Sequence, residues 1–224
     1  MRKKAIILFS GGLDSTTCLA IAKSQGFDCY ALSFQYGQKH SVEIERAMQL
    51  VRQMSVVEHR VLTLPIGELG GSSLTDTTLS IPDYKEGDAI PNTYVPARNT
   101  IFLSFALSFG EVVGAYDIFI GANIMDYSQY PDCRPGYLHA FETLAKFATK
   151  AGANETNFHI HAPLLKMTKA EIIKTGVALG IDYAKTISCY RADNEGRACG
   201  KCDSCTYRKK GFKEANLPDP TYYV

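Results

Sequence analysis

The sequence predicts an α/β fold built on a Rossmann-like parallel sheet, and three observations support this prediction. Apolar runs alternate with helix-like segments, as expected where helical crossovers join parallel strands. The first run, residues 5–9, is apolar at every position, which is typical of a strand buried on both faces. This run is followed by a glycine pair, Gly11 and Gly12, directly before a segment with helical character.

Strands and helices are predicted in alternation along most of the chain. Strands are expected where apolar residues cluster or alternate, and helices where they recur every three or four residues. Thr168 and Glu171 have the spacing of a capping box, which marks a helix start. The pattern is interrupted by a loop, residues 65–97, long enough to be a functional lid. The predicted strands are residues 5–9, 28–34, 58–64, 117–121 and 158–161, and the predicted helices are residues 14–25, 41–54, 98–113, 137–150 and 168–179.

Composition limits the possible partners of the chain, and the sequence suggests two parts. With 24 basic and 23 acidic residues, the net charge of +1 creates no global field that would attract nucleic acid. No apolar run approaches the roughly 20 residues of a membrane helix, and the basic N-terminus lacks a signal-peptide core, so we expect a cytoplasmic protein without a membrane partner. Residues 1–185 are predicted to form the nucleotide-binding domain, and residues 186–224 a metal-binding subdomain.

The turn formed by residues 10–15, Ser-Gly-Gly-Leu-Asp-Ser, is a candidate phosphate cradle. Backbone N–H groups at a helix start converge on an anion, and glycines allow close approach. Ser10, Ser15 and Thr16 could add hydroxyl donors. The turn also follows the first strand, at the sheet edge where open α/β folds bind ligands. Its spelling excludes a Walker loop and a dinucleotide fingerprint. The alternative is a tight strand–helix turn with a serine cap.

Four cysteines near the C-terminus form a candidate metal site with the spacing C-x9-C-x2-C-x2-C. Four thiolates complete a tetrahedral zinc site, so we expect one structural zinc ion per chain. An iron–sulfur cluster or a redox pair are the alternatives. The four residues are Cys189, Cys199, Cys202 and Cys205.

Other chemistry-bearing residues are interpreted as structural. Cys18 and Cys29 lie in regular apolar elements and are predicted to be core residues. His159 and His161 share one strand face but lack a third ligand, so we reject a metal site there. The basic run at residues 208–210 is predicted to be a solvated helix face.

Several strings resemble the 7-cyano-7-deazaguanine synthase family of PP-loop ATP pyrophosphatases. The turn at residues 10–15 matches the S-G-G-x-D-S motif of the PP-loop enzymes, although that motif alone is not specific. More specific are V-P-x-R-N at residues 95–99 and Y-P-D-C-R at residues 130–134. Together with S-F-Q-Y-G-Q at residues 33–38 and the four-cysteine segment, the resemblance covers residues 6–208. It implies a fold of the adenine nucleotide alpha-hydrolase type.

The resemblance also implies a reaction. Members of this family are ATP-dependent ligases that convert 7-carboxy-7-deazaguanine and ammonia to 7-cyano-7-deazaguanine (preQ0), on the route to queuosine. The carboxylate and then the amide are activated as adenylates, and Mg²⁺ would bridge the ATP phosphates. The family further implies small-molecule substrates, no direct nucleic-acid partner and a homodimer.

Residue roles follow from the resemblance and from the chemistry of each side chain. Asp14, Ser15, Arg98 and Lys169 are the predicted catalytic residues. Arg98 and Lys169 begin helices, where their charge opposes the macrodipole, so a bound anion is inferred; a solvated surface charge is the alternative. Asp132 could equally be a turn residue. The predicted nucleotide-binding residues are Phe9, Ser10, Gly11, Gly12, Leu13, Asp14, Ser15, Thr16, Thr17, Cys18, Leu19, Ser33 and Phe34, and the predicted deazaguanine-binding residues are Asp126, Tyr130, Asp132 and Arg134.

Two rival functions are considered. A PP-loop enzyme that modifies tRNA directly would need a large basic surface, and the net charge of +1 argues against one. A non-enzymatic zinc-knuckle module that binds RNA would not need the cradle, and measurable ATP turnover would exclude it.

Overall fold

The fold contains a five-stranded sheet in which all strands are parallel. The computed structural model describes residues 2–39, 42–87, 90–125 and 130–224, with backbone alone at residue 42. The strand order is β3-β2-β1-β4-β5, and β1 pairs with both β2 and β4. This confirms the predicted α/β class and its five strands. The strands are β1 (Lys4–Leu8), β2 (Asp28–Gln35), β3 (Glu58–Thr63), β4 (Asp117–Phe119) and β5 (His159–His161).

Helices cover both faces of this sheet. Most begin and end within a few residues of their predicted bounds, and the predicted helix at residues 98–113 is matched at both ends. The predicted helix at residues 137–150 instead breaks at Thr149, whose side chain accepts a hydrogen bond from Gly152 N and caps a short further helix. The helices are α1 (Leu13–Ser24), α2 (Val42–Gln53), α3 (Arg98–Val113), α4 (Pro135–Ala148), α5 (Lys150–Ala153), α6 (Lys169–Ala178) and α7 (Asp203–Ala215).

Alternate residues of β1 serve two hydrophobic cores. Ile6 and Leu8 face a core that includes residues of α3 and α4, whereas Ala5 and Ile7 face one that includes residues of α1, α2, α6 and α7. A strand with helices on both sides must be apolar at every position, which explains the continuous run at residues 5–9. Cysteines of the C-terminal segment contribute to the first core and Phe212 to the second. The division at residues 185 and 186 stays a prediction.

The sheet topology creates a crevice beside the end of β1. The chain moves from β1 to β2 and β3 on one side, and then crosses to β4 and β5 on the other. Crossovers on the two sides of β1 leave its carboxyl end uncovered, and open α/β sheets bind ligands at such a switch point. The candidate phosphate cradle begins two residues after β1 ends.

The long loop at residues 65–97 packs against the molecule in its described part. Leu74, Ile81 and Val95 are buried in the core beside α3. The Arg191 guanidinium donates hydrogen bonds to the carbonyl of Ile81 at 3.0 Å and to the Asp83 carboxylate at 2.5 Å. The loop therefore joins the cysteine-bearing segment to the sheet domain. That it acts as a lid stays a prediction.

The basic run at residues 208–210 is not a solvated face throughout. Lys209 and Lys210 are exposed, but Arg208 is only 3% exposed. Its guanidinium donates to the Asp219 carboxylate at 3.1 Å and to the Thr186 hydroxyl at 2.8 Å. The sequence prediction was wrong for Arg208 because its partners lie outside the helix that carries it.

Among the described residues, no helix combines the length and the apolar character that crossing a membrane requires.

Gly110 allows the tight passage from α3 to β4, and its substitution provides a test of the fold. A Cβ at this position would lie 2.5 Å from the carbonyl oxygen of Ala115 and 2.9 Å from the ring of Phe158. We expect Gly110→Ala to lower the free energy of unfolding by about 1–3 kcal/mol in urea denaturation, because overpacking a buried contact forces backbone shifts.

The matched control is Gly136→Ala, also within a helix, where a Cβ would meet no atom within 4 Å. This change should leave stability unaltered or raise it by up to about 1 kcal/mol, since alanine favours the helix. Equal effects of the two substitutions would contradict the packing described for Gly110.

Candidate active site and metal centre

The glycine turn between β1 and α1 has the geometry of an anion cradle. Gly11 has a φ of +79°, and a Cβ there would lie 3.0 Å from the backbone of Ala47 in α2. Only glycine therefore fits this position without strain. The hydroxyls of Ser10 and Ser15 are 3.1 Å apart, and Ser15 Oγ donates to the carbonyl of Gly12 at 3.3 Å. The turn holds two hydroxyls beside the first N–H groups of α1.

The chain that follows β4 packs against the other side of the same turn. A Cβ on Gly121 would lie 3.2 Å from the backbone nitrogen of Ser15. This close approach brings the start of α1 against the chain that leaves β4. The cradle consequently lies between the carboxyl ends of β1 and β4, at the switch point of the sheet.

A buried ion pair connects the cradle to α6. Lys169 Nζ lies 2.8 and 2.9 Å from the two carboxylate oxygens of Asp14, with the two side chains 7% and 23% exposed. The capping box predicted at Thr168 and Glu171 is confirmed and fixes the helix start that carries Lys169. Two predicted catalytic residues, 155 positions apart, thus meet at the first turn of α1.

A pocket of about 250 Å³ opens from the cradle towards α3. Its walls come from the ends of β1, β2 and β4, from α2 and α3, and from the segment before the cysteines. Seven of the thirteen predicted nucleotide-binding residues line this pocket, together with Arg98 and Tyr130. They meet there because the elements that carry them converge at the carboxyl edge of the sheet. The lining includes Phe9, Ser10, Gly12, Leu13, Asp14, Ser15, Phe34, Glu43, Arg98, Asn99, Tyr130, Ile187 and Ser188.

Arg98 and Glu43 place opposite charges in the pocket wall. Arg98 Nη1 donates to the Tyr36 hydroxyl at 3.3 Å, and its guanidinium lies 5.8 Å from the centre of that ring. Both Arg98 and Glu43 are half-buried. Burial raises the pKa of Glu43 to about 7, and the Arg98 guanidinium opposes this rise. Arg98 is thus no freely solvated charge.

The two predicted adenosine residues of β2 face opposite sides of the sheet. Phe34 lines the pocket and stacks on Phe102 of α3, with ring centres 4.1 Å apart. Ser33 is fully buried; it donates to the carbonyl of Phe9 at 2.5 Å and lies 2.8 Å from Nε2 of His59. In this arrangement Ser33 joins neighbouring strands, and Phe34 is the residue available to the cavity.

The inner predicted nucleotide residues of α1 are buried. The Thr17 hydroxyl is bonded to the carbonyl of Leu13 at 2.8 Å and to the Tyr183 hydroxyl at 2.7 Å. Cys18 and Leu19 belong to the core, as does Cys29. The Thr16 hydroxyl is buried without a hydrogen-bond partner among the described residues. Residues 16–19 therefore pack beneath the cradle and do not line the pocket.

Three of the four predicted deazaguanine residues are described by the structure, and each has a different environment. Tyr130 lines the pocket, and its hydroxyl lies 3.0 Å from that of Thr93. Asp132 is buried and accepts a hydrogen bond from the backbone N–H of Asn99 at 3.0 Å, so it caps the start of α3. Arg134 is exposed at the start of α4, and Asp126 lies outside the described residues.

The four C-terminal cysteines converge on one point. Their Sγ atoms all lie within 4.8 Å of one another, and those of Cys199 and Cys205 are 4.0 Å apart. Thiolates around a single zinc ion are about 3.8 Å apart, given Zn–S distances near 2.3 Å in a tetrahedron. The donor set and its spacing therefore fit one tetrahedral ion, held by Cys189, Cys199, Cys202 and Cys205.

Backbone N–H groups surround these sulfurs. Cys189 Sγ accepts hydrogen bonds from the amides of Arg191 and Cys199, each at 3.2 Å. Cys199 Sγ accepts from the amides of Lys201 and Cys202 at 3.5 and 3.4 Å. Such donors favour the thiolate form that binds metal.

Sequence reasoning did not predict several residues that line this pocket, Ser188 and Glu43 among them. The Ser188 hydroxyl accepts a hydrogen bond from the backbone N–H of Leu13 at 3.2 Å, and Glu43 contributes a carboxyl to the pocket wall. Ser188 adjoins the candidate metal ligand Cys189, and this position could have drawn attention to it. Nothing near Glu43 in the sequence marks it as a site residue, because acidic residues are common in the first turn of any helix, where they favour the helix dipole.

The Glu43 carboxyl makes stability depend on pH. Its pKa is raised from 4.5 to about 7 in the folded chain, so the native state binds a proton that the unfolded chain has already lost. Stability is thus lost as pH rises from about 4.5 through 7. We expect Glu43→Gln to gain stability relative to the wild type between pH 5 and pH 8, by on the order of 1–3 kcal/mol in urea unfolding.

Glu45→Gln is the matched control, since it changes an exposed carboxyl on the same helix. A stability difference between Glu43→Gln and the wild type that is equal at both pH values would contradict burial of this carboxyl.

Solved structures share the fold at low sequence identity. NMN synthetase from Francisella tularensis superposes with a TM-score of 0.51 at 14% identity, covering 97% of this chain and 78% of that one. A 4-thiouridine synthetase, in an RNA complex with bound ATP, has a TM-score of 0.50 at 20% identity, covering 99% of this chain and 47% of that one. These likenesses concern the fold alone, and they confirm the Rossmann-like α/β architecture.

Closer relatives match over nearly the whole chain. The 7-cyano-7-deazaguanine synthase of Coxiella burnetii (strain RSA 331 / Henzerling II) is 60% identical over 222 residues, which are 99% of this chain and 98% of that protein. The proteins of the same name from Dechloromonas aromatica and Legionella pneumophila (strain Philadelphia 1) are 58% and 57% identical. They cover 100% and 99% of this chain, and 99% and 97% of their own lengths.

The family model described as queuosine biosynthesis protein QueC matches residues 4–216. This match includes the cradle, the pocket lining and all four cysteines, and it agrees with the resemblance seen in the sequence. The chain belongs to the QueC family of queuosine biosynthesis proteins.

Proposed function

We propose that this chain is an ATP-dependent carbon–nitrogen ligase that converts 7-carboxy-7-deazaguanine and ammonia to 7-cyano-7-deazaguanine. One observation carries the proposal: the glycine cradle opens into the same pocket as Arg98 and Tyr130, so a phosphate site adjoins a place for an aromatic base. Relatives about 60% identical are named for the synthesis of this nitrile. We also propose that the chain acts on small molecules in the cytoplasm. It would do so as a homodimer and without binding nucleic acid directly.

The first half of the proposed reaction makes an amide. The substrate carboxylate attacks the α phosphorus of ATP, which forms an adenylate and releases pyrophosphate. Ammonia then adds to the activated carbonyl and AMP leaves. The cradle favours this cleavage because hydroxyl and N–H donors beside a helix N-terminus stabilise the charge that develops on departing pyrophosphate.

The second half removes the remaining oxygen. An amide oxygen is a very poor leaving group, so it too must be adenylated by a second ATP. Loss of AMP together with a proton from nitrogen then leaves the nitrile. Both activations are of one kind, which explains how a single cradle can serve the two steps.

The side chains of the pocket suggest a division of roles. Gly11, Gly12 and the hydroxyls of Ser10 and Ser15 would hold the pyrophosphate. Asp14 would supply a carboxylate oxygen to Mg²⁺, a cation that prefers oxygen ligands and phosphate. Lys169 lies beside Asp14, close enough to oppose phosphate charge. We assign Arg98 a similar role at the α3 side of the pocket.

The aromatic residues of the pocket suit the two planar rings of the substrates. Phe34, stacked on Phe102, would meet adenine, and Tyr130 would meet the face of deazaguanine. Burial raises the pKa of Tyr130, so its phenol keeps its proton at neutral pH. We assign Asp132 to the start of α3, where it keeps Arg98 in position, rather than to the base itself.

We propose zinc as the ion of the four-cysteine site. Four sulfur ligands satisfy a tetrahedral zinc ion and leave no open position for substrate, so the role is structural. The ion would tie the loop that carries Cys189 and Cys199 to the start of α7.

The products distinguish this mechanism from ordinary ATP hydrolysis. With ATP, Mg²⁺, ammonia and 7-carboxy-7-deazaguanine as substrates, we expect the nitrile together with AMP and pyrophosphate. Chromatography and mass spectrometry would identify these products. Formation of ADP and phosphate would exclude attack at the α phosphorus, even if the nitrile appeared.

The variant Asp14→Asn tests the role of the Asp14 carboxylate, because it keeps the shape of the side chain and removes its charge. Turnover should fall by at least about a hundredfold, as for loss of a group that stabilises developing charge. Circular dichroism would verify folding, and Asp28→Asn at the start of β2 provides the control. Full activity of a folded Asp14→Asn chain would count against the assigned cradle.

Zinc content tests the metal centre. We expect about one zinc ion per chain by elemental analysis, and its loss together with a lower melting temperature in Cys202→Ser, since binding a structural ion contributes to folding. Cys29→Ala, which removes a thiol from β2, should keep the zinc. A soluble, fully active Cys202→Ser protein would show that the site is dispensable.

A further inference from the structure

The segment just before the metal ligand Cys189 lies directly against the phosphate cradle. The backbone N–H of Ile187 donates to the carbonyl of Gly11 at 3.2 Å, and the N–H of Leu13 donates to Ser188 Oγ at 3.2 Å. Both Ile187 and Ser188 line the pocket. Two hydrogen bonds thus join the C-terminal part of the chain to residues on both sides of Gly12.

The Ser188 hydroxyl has a proton left to donate. Its oxygen accepts from Leu13, one of the first N–H groups of α1, which have no acceptor inside the helix. Among the described residues this hydroxyl donates no hydrogen bond, and Ser188 is half-buried on the pocket wall. A Cβ on Gly12 would lie 3.7 Å from this oxygen. The hydroxyl therefore lies beside Gly12, next to the backbone N–H groups that would hold an anion.

We infer that Ser188 donates its hydroxyl to a phosphate oxygen of the bound nucleotide and so is a pyrophosphate-binding residue. The inference rests on the proposed function, since it takes the cradle as the site of pyrophosphate. It adds a donor from a part of the chain 175 positions away from Leu13. The adjacent metal centre then acts on catalysis through the position of one hydroxyl.

The segment that carries Ser188 is fixed on both sides. On one side the metal centre holds Cys189. On the other, Arg208 of α7 donates to the Thr186 hydroxyl at 2.8 Å and to the carbonyl of Tyr183 at 2.9 Å. Tyr183 is in turn bonded through its hydroxyl to Thr17 of α1 at 2.7 Å. Arg208 is thus a positioning residue, whereas Ser188 makes the contact with phosphate.

Binding of inorganic pyrophosphate in the presence of Mg²⁺ tests the inference directly. By calorimetry on the full zinc-loaded chain, Ser188→Ala should bind pyrophosphate about tenfold to a hundredfold more weakly than the wild type, as expected for loss of a hydrogen bond to a charged group. Ser188→Thr keeps the hydroxyl and should bind nearly as the wild type does. Ser24→Ala, which removes an exposed hydroxyl at the far end of α1, is the matched control and should bind pyrophosphate as the wild type does.

The outcomes separate this inference from the proposed function. If the wild type forms AMP and nitrile, yet Ser188→Ala binds pyrophosphate as tightly as the wild type, the role of Ser188 is overturned while the function stands. Ser188→Thr as weak as Ser188→Ala, at full zinc content, would also overturn it, because a retained hydroxyl would then have no effect. A wild type that binds no pyrophosphate would overturn the role of Ser188, whereas the proposed function is overturned by the absence of AMP and nitrile among the products.

Discussion

The ion pair between Asp14 and Lys169 is the contact around which the rest of the site is arranged. It joins the first turn of α1 to the first turn of α6 across a nearly buried interface. Two charges removed from water in this way need each other, since a lone one would be costly to keep. The pair therefore fixes α6 relative to the cradle and leaves a cation and a carboxylate beside the N–H groups of α1. Under the proposed function, these charges would face phosphate and Mg²⁺.

The C-terminal segment is part of this site and not an appendage to it. Arg208 connects α7 to the chain at Tyr183 and Thr186, and the next residues contact the glycine turn. The four cysteines close the same segment from the other end. An ion bound by these cysteines, as we propose, would therefore help to fix the position of the cradle without touching substrate.

Sequence patterns predicted the features that depend on neighbouring residues. The run at residues 5–9, the glycine turn, the capping box at Thr168 and the apolar helix at residues 98–113 are local signals, and the structure contains each of them. Long-range pairings could not be read in this way. The partners of Arg208, the contact of Ser188 with Leu13 and the cap that Asp132 provides for α3 each join distant segments. Only the folded chain brings them together.

The central claim is that both oxygens of a carboxylate leave as part of AMP, through two cuts at the α phosphorus of ATP. Isotope transfer measures this most directly. With 7-carboxy-7-deazaguanine labelled by ¹⁸O at both carboxylate oxygens, each AMP released per nitrile should carry one labelled oxygen, and pyrophosphate should carry none. Label found in water, in inorganic phosphate or in pyrophosphate would contradict the account.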